Sequence, residues 1–355
     1  MTMSMLDLIG IDPEWEGRTQ VDDSWLRRTQ EAPIDPGLTI IDPHHHLWNH
    51  SKNRYLAEEF RRDLADGHRV RATVHVEASS HFTRSGPPHL RPVGETQFVA
   101  EIGESLKRSN PAGPEVGAGI VAFTDLTKGD VVDEVLQAHI EAGRGRMRGI
   151  RNTSIWDENP NLQDTRCLSP RGLLGTDRFR EGFSRLAAYG LSYDAWLYHP
   201  QLDELADLAD TFPETTIIVD HLGAPLMIEQ YALRKDEVFR QWSASMRDLA
   251  RRPNIFMKIS GLGMRYGGFG LRDHPAPVPS ATLADLWGPF IDVAIDVFGP
   301  GRSMFASNFP VDKGGCSYRM LWNAFKRATA SLSEDERADL FRRTAARVYR
   351  LEGFA

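Results

Sequence analysis

Three consecutive histidines, His44, His45 and His46, close the segment Ile40-Ile41-Asp42-Pro43-His44-His45-His46-Leu47-Trp48. If the apolar run before them is a β-strand, alternation sends His44 and His46 to one face and His45 to the other. Two imidazoles on one face, two residues apart, can reach one divalent ion. A lone histidine is more often a hydrogen-bonded core or rim residue. Three together at a strand end instead favour chemistry.

Two further histidines end apolar runs. His199 follows 191–198, and His221 ends 215–221, just before the turn residues Gly223-Ala224-Pro225. In a barrel, strand ends converge on one pocket, so both are expected in the site. The expected metal-ligand set is therefore His44, His46, His199 and His221, with His199 and His221 also as catalytic candidates. His75, inside the second run beside Glu77, has two open readings: a lumen group, or a core pair with Glu77. Lys258 interrupts an apolar run, and a buried lysine needs a partner or a substrate. Glu77 is the expected partner.

The elements that would position these groups alternate between two periods. Short β-branched or apolar runs fall at 38–43, 69–78, 117–123, 147–152, 191–198, 215–221, 255–260 and 303–307. Helical periodicity follows most of them, at 95–108, 130–142, 178–189, 202–211, 239–251 and 282–298, with a closing pair at 318–330 and 334–349. Eight repeated βα units imply an α/β protein with a parallel sheet closed as a (β/α)8 TIM barrel. The connections 156–176, 223–237 and 263–281 are long and rich in Gly, Pro, Asp or Arg. In a barrel such loops lie over the active-site mouth.

Residues 1–36 carry Pro13, Pro33 and Pro36 and precede the first run, so they are expected as an N-terminal extension to one barrel domain, 37–355. The 355 residues carry 42 basic and 49 acidic side chains without long single-sign runs. That balance offers no footprint for nucleic acid or a membrane surface, so the expected partner is a small-molecule substrate. Cys167 and Cys316 are isolated, which fits a reducing cytoplasm and neither a disulfide framework nor a zinc-thiolate site. Acidic residues interrupt the first apolar stretch, against a secretory signal, and no run reaches the length of a membrane span. Apolar outer helices and the extension suggest a homodimer.

Three segments stand out together: Asp42-Pro43-His44-His45-His46-Leu47-Trp48, Asp220-His221-Leu222-Gly223-Ala224-Pro225 and Met304-Phe305-Ala306-Ser307-Asn308-Phe309-Pro310-Val311. On these the chain resembles the amidohydrolase superfamily, in the branch of fuconolactonase, pyrone dicarboxylate lactonase and sulfomuconolactone hydrolase. The resemblance implies a distorted TIM barrel, a His-x-His pair at His44 and His46, further histidines at His199 and His221, and an acid on the eighth strand. At that last position this chain has Asn308. An amide is no general base, so Asp312 or a histidine must supply one, with Asn308 orienting water or substrate. Asp312 has a competing reading as a surface carboxylate paired with Lys313. Arg151, Tyr193, Trp196 and Lys258 are the expected substrate contacts; Arg148 and Arg265 are expected as rim charges.

The function that follows is a hydrolase opening a small lactone or related cyclic ester, with a divalent metal, zinc, or with histidines and arginines polarising the carbonyl without one. A non-oxidative decarboxylase on the same fold and a catalytically silent ligand-binding barrel are the alternatives.

Overall fold

The computed structural model describes residues 21–50, 53–163 and 169–354. Eight strands lie parallel in chain order: β1 Thr39–His45, β2 Arg69–Val76, β3 Glu115–Phe123, β4 Met147–Arg151, β5 Ser192–Ala195, β6 Ile217–Val219, β7 Ile255–Ile259 and β8 Ser303–Phe305. The first and last edges meet through Asn308 N donating to His44 O at 2.8 Å and His46 N to Phe309 O at 2.8 Å. The result is a nearly closed, distorted TIM barrel. Its strands are buried on both faces, which is why β3 and β6 read as continuous apolar runs rather than alternating ones.

Helices α1 Ala57–Leu64, α2 Val93–Ser109, α3 Val132–Ala142, α4 Asp177–Phe183, α5 Leu202–Thr211, α6 Lys235–Leu249, α7 Ser280–Phe298 and α8 Tyr318–Ala328 belong to the outer layer. One core lies between strands and helices, where Ile40, Tyr193, Ile217, Met257 and Phe305 meet Phe179, Leu205, Trp242, Trp287 and Trp322. A second core fills the barrel. There Ile41, Val74, Val76, Ile218 and Met304 pack against Ala345, Ala346 and Val348 of the C-terminal helix, Thr344–Val348, and against Tyr349 just after it, which together form the barrel floor.

Alternation decides what faces the lumen. Tyr193 is buried against Phe179 and Phe183 on the outer side of β5, and its hydroxyl donates to Asn152 O at 2.8 Å. The structure thus places Tyr193, expected as a substrate contact, on the helix side of the strand, while Asp194, one residue on, faces inward. Tyr193→Phe is accordingly expected to leave KM within about twofold of wild type. It should lower stability by about 1 kcal/mol, the net worth of one hydrogen bond, as read by urea unfolding.

Strands β5 and β6 are shorter than the apolar runs that encode them. The residues beyond them leave the ladder to aim side chains into the mouth, and Asp220–Gly223 becomes a tight turn. At β1 the reverse holds, because a register shift between Asp42 and His45 carries the strand through His45. Asp42 ties this irregular stretch to β8 and α8, accepting from Ser307 N at 2.9 Å and from the Tyr318 hydroxyl at 3.0 Å.

Residues 21–36 lie across the β7–α7 connection. Trp25 Nε1, Arg28 Nη1 and Thr29 Oγ1 donate to the carbonyls of His274, Pro275 and Pro277 at 2.9, 2.8 and 2.6 Å. Ser280 N donates to Glu31 Oε1 at 2.6 Å, and Lys326 Nζ to Ile34 O at 3.0 Å. The remainder of the expected extension, residues 1–20, and Cys167 lie outside the described residues. Cys316 is a buried free thiol. Among the described residues, no helix is long and apolar enough to cross a membrane.

Candidate active site

The inward residues of β1 and the strand-end residues after β6 and β8 meet at the barrel mouth. His44 Nε2 lies 3.2 Å from His46 Nε2, and the His44 and His221 ring centroids are 4.5 Å apart. His45 points the other way, stacking on Phe60 of α1 and meeting the Thr73 hydroxyl at 2.9 Å. His46 Nδ1 must donate to the Val76 carbonyl, 2.8 Å away, because a carbonyl oxygen only accepts. Its Nε2 is thereby left as a lone pair facing His44 and, at 3.3 Å, Asn308 Oδ1. The Asn308 amide is oriented by its own Nδ2, which donates to Asp312 Oδ1 at 3.1 Å.

Arg151 and Lys258 sit below this group. Arg151 donates from Nε and Nη2 to the Glu77 carboxylate and carbonyl, both at 2.6 Å, while Nη1 lies 3.4 Å from Asp220 Oδ2 and 3.5 Å from His44 Nε2. Lys258 is fully buried. Its Nζ lies 2.5 Å from Asp194 Oδ2, 3.2 Å from Asp220 Oδ1 and 3.2 Å from His44 Nδ1. The expected Lys258–Glu77 pair is thus replaced by Lys258 with Asp194 and Asp220, because Arg151 occupies Glu77. For the same reason His75 meets Glu95, at 3.3 Å, and not Glu77.

Burial sets the protonation of the histidines. Desolvation holds His44 and His46 well below the ordinary imidazole range and takes His221 down to about 3, so all three rings are neutral near pH 7. Burial also pushes Asp220 upward, but Lys258 and His44 outweigh it and hold that carboxyl well below its usual range. Asp194 goes the other way, to about 6, through burial and its neighbour Asp220.

Asp312 is only 1% exposed and does not meet Lys313, which bonds Asp63 at 2.8 Å. The surface-pair reading of Asp312 is corrected. Instead the carboxylate lies against the loop after β7, accepting from Gly263 N at 3.3 Å as well as from Asn308. Burial raises its carboxyl to about 7.

The structure does not bring His199 into this group. The chain turns at Pro200, and His199 Nδ1 accepts from Leu226 N at 3.2 Å while its ring lies edge-on to Tyr231. Trp196 does reach the site, its ring T-shaped against His221 at 4.8 Å. Arg265 is an exposed rim residue that donates to Asn161 O, whereas Arg148 bonds Gly145 and Met147 carbonyls at the opening of β4, away from the mouth.

Two site residues have backbones that L-residues rarely adopt. His221 has φ 54° and Asn308 φ 53°, both left-handed. At His221 the kink turns the ring toward Ser260, whose hydroxyl lies 2.9 Å from Nδ1.

Sequence reasoning passed over Asp194, Asp220 and Ser260 as site groups. A signal existed for the two acids. Each is a carboxylate at an inward position of an apolar run, where burial demands a partner.

These residues fit a divalent cation. His44, Asp220 and His221 each offer a ligand atom, all within 4.8 Å of one another, and Asp220 Oδ1 is a buried acceptor without an aligned hydrogen-bond donor. Glu77, Asp194 and Asp220 outnumber Arg151 and Lys258, leaving a net negative charge that a cation would offset.

The amidohydrolase family model matches residues 41–351. An uncharacterised protein of Sinorhizobium fredii is 33% identical over 336 residues, spanning 88% of this chain and 99% of its own. An L-fucono-1,5-lactonase of Burkholderia multivorans is 27% identical, over 89% of this chain and 97% of its own. A crystal structure of an amidohydrolase from Burkholderia multivorans with bound zinc superposes with a TM-score of 0.65 at 24% identity, covering 88% of this chain and 99% of that one.

Proposed function

The chain belongs to the amidohydrolase family, and from that premise we propose that it is a hydrolase opening a small lactone or related cyclic ester at the His44, His46 and His221 cluster. The observation that carries this reading is the cluster of His44, His46 and His221 at the mouth with the buried Asp312 carboxylate one hydrogen bond from Asn308 beside it, where burial raises that carboxyl to about 7. A general base works best when its pKa lies near the operating pH. The family position taken by Asn308 cannot act so, and Asp312 supplies the base four residues on.

His44, Asp220 and His221, with His46 Nε2 beside them, would hold a divalent ion, zinc, which when bound would polarise the substrate carbonyl and lower the pKa of water. The rest falls to the chain itself. Asp312 accepts the proton of the attacking water, and Asn308 keeps that carboxylate in register through its amide. The Arg151 guanidinium, beside His44 Nε2, stabilises negative charge growing on the carbonyl oxygen. Trp196 packs its ring edge-on against His221. A lactone suits this set because the proton that Asp312 takes from water can pass to the departing ring oxygen, which leaves as an alcohol while the acyl carbon ends as a carboxylic acid, so no second acid is needed. The lactonase name of the Burkholderia multivorans relative supports the same class. We further propose that the protein acts on its substrate in the cytoplasm.

The test is acid release from a panel of γ- and δ-lactones, with carbon dioxide measured in parallel on aromatic and enol acids, after metal analysis of protein purified without added ions. Lactone turnover is expected. Carbon dioxide without lactone opening would replace the reading with decarboxylation. Ligand binding without turnover, in both wild type and Asn308→Asp, would make it a silent barrel.

A further inference from the structure

A chain of buried polar contacts runs from the barrel floor to the mouth, and the hydrolase mechanism uses only its upper end. Tyr349 follows the C-terminal helix and is fully buried. Its hydroxyl donates to Asp194 Oδ2 at 2.7 Å. The same oxygen accepts from Lys258 Nζ at 2.5 Å, and Nζ also lies 5.2 Å from the centre of the Tyr349 ring. From there Nζ reaches Asp220 Oδ1 and His44 Nδ1, each at 3.2 Å.

An ammonium has three N–H donors; here Asp194 Oδ2 and His44 Nδ1 accept hydrogen bonds from it, and the Asp220 carboxylate adds an ion pair. A lysine side chain has four rotatable carbons and is poorly ordered without such anchors. Asp220 and His44 stand among the groups at the mouth, whereas Asp194 lies beneath them, between Lys258 and Tyr349. Asp194 is itself held from the far side by Tyr349.

We propose that Tyr349 is a positioning residue for the active site: through Asp194 it fixes Lys258, and Lys258 fixes the ring of His44 and the carboxylate of Asp220. The C-terminal helix thereby does more than close the barrel floor. It sets the geometry of groups at the mouth, in the way that partners behind a ligand histidine tune the ligand. The inference rests on the hydrolase reading for its kinetic arm only.

The experiment compares full-length wild type, Tyr349→Phe, Lys258→Met and Lys258→Arg. Tyr349→Phe keeps the ring that packs the floor and removes only the hydroxyl. The ring-nitrogen NMR signals of His44, assigned by their loss in His44→Gln, are expected to shift in Tyr349→Phe. With a lactone substrate, kcat is expected to fall about tenfold while KM stays within about twofold. Lys258→Met should lose more, and Lys258→Arg should recover part of that loss by restoring the donors. Unchanged His44 signals in folded Tyr349→Phe would overturn the proposal, whether or not any lactone is turned over. So would a kcat within twofold of wild type. If Lys258→Met fails to fold, Tyr349→Phe alone decides.

Discussion

Alanine at His46 is expected to leave a folded barrel that has lost divalent-ion binding and about 10³-fold of kcat/KM for a lactone, equivalent to roughly 4 kcal/mol of transition-state stabilisation. His46 is the test of choice because its second nitrogen is committed to Val76 O, so its Nε2 has no duty other than toward His44 and Asn308. Removing the ring leaves the Val76 carbonyl to be rehydrated, at the mouth end of β2, and uncovers the face of Trp48 on which the ring stacks. The melting temperature should therefore move by a few degrees at most. Metal content by mass spectrometry and steady-state kinetics check the two halves. Retention of both the ion and the rate would remove His46 from the site.

The second large effect is a pH dependence. With the Asp312 carboxyl at about 7, kcat/KM should climb with pH up to about 7 and then level off, since only the carboxylate accepts a proton. Asp312→Asn should remove that limb and lower the plateau by roughly 10²- to 10⁴-fold. Stability must move the opposite way. In the folded protein Asp312 binds its proton more tightly than the unfolded chain does, against an ordinary value of 3.8. Its contribution is therefore complete at pH below about 4 and is lost as pH rises toward 7, by up to about 1.4 kcal/mol per pH unit in that window. Denaturant melts of wild type and Asp312→Asn at pH 5 and pH 7 isolate it. A wild-type activity profile flat from pH 5 to 8 would exclude Asp312 as the base.

The barrel was legible because parallel strands buried on both faces write themselves as short apolar runs, and the spacing between those runs leaves room for a helix each time. The mouth was legible where a residue type is rare inside such a run, as with His44, His46, Lys258 and the His221 turn. Failures came where an assignment needed one residue of phase. Tyr193 and Asp194 are neighbours on one strand, and without the register of β5 the aromatic looked like the contact and the acid like background. Pairing was the other gap. Lys258, Glu77, His75 and Asp312 were each seen as groups that need a partner, but partner choice depends on which competitor arrives first in space. Arg151 took Glu77, and the other pairs rearranged around that.

The left-handed backbones at His221 and Asn308 carry a consequence for any effort to improve this protein. Glycine at either position would relieve a conformation that costs about 1 kcal/mol or more in an L-residue, while deleting a side chain from the mouth. A library selected only for heat resistance would be drawn to these two codons, and would return robust barrels with poor turnover. The tolerance for mutation that a stable fold normally lends its enzyme stops at this pair.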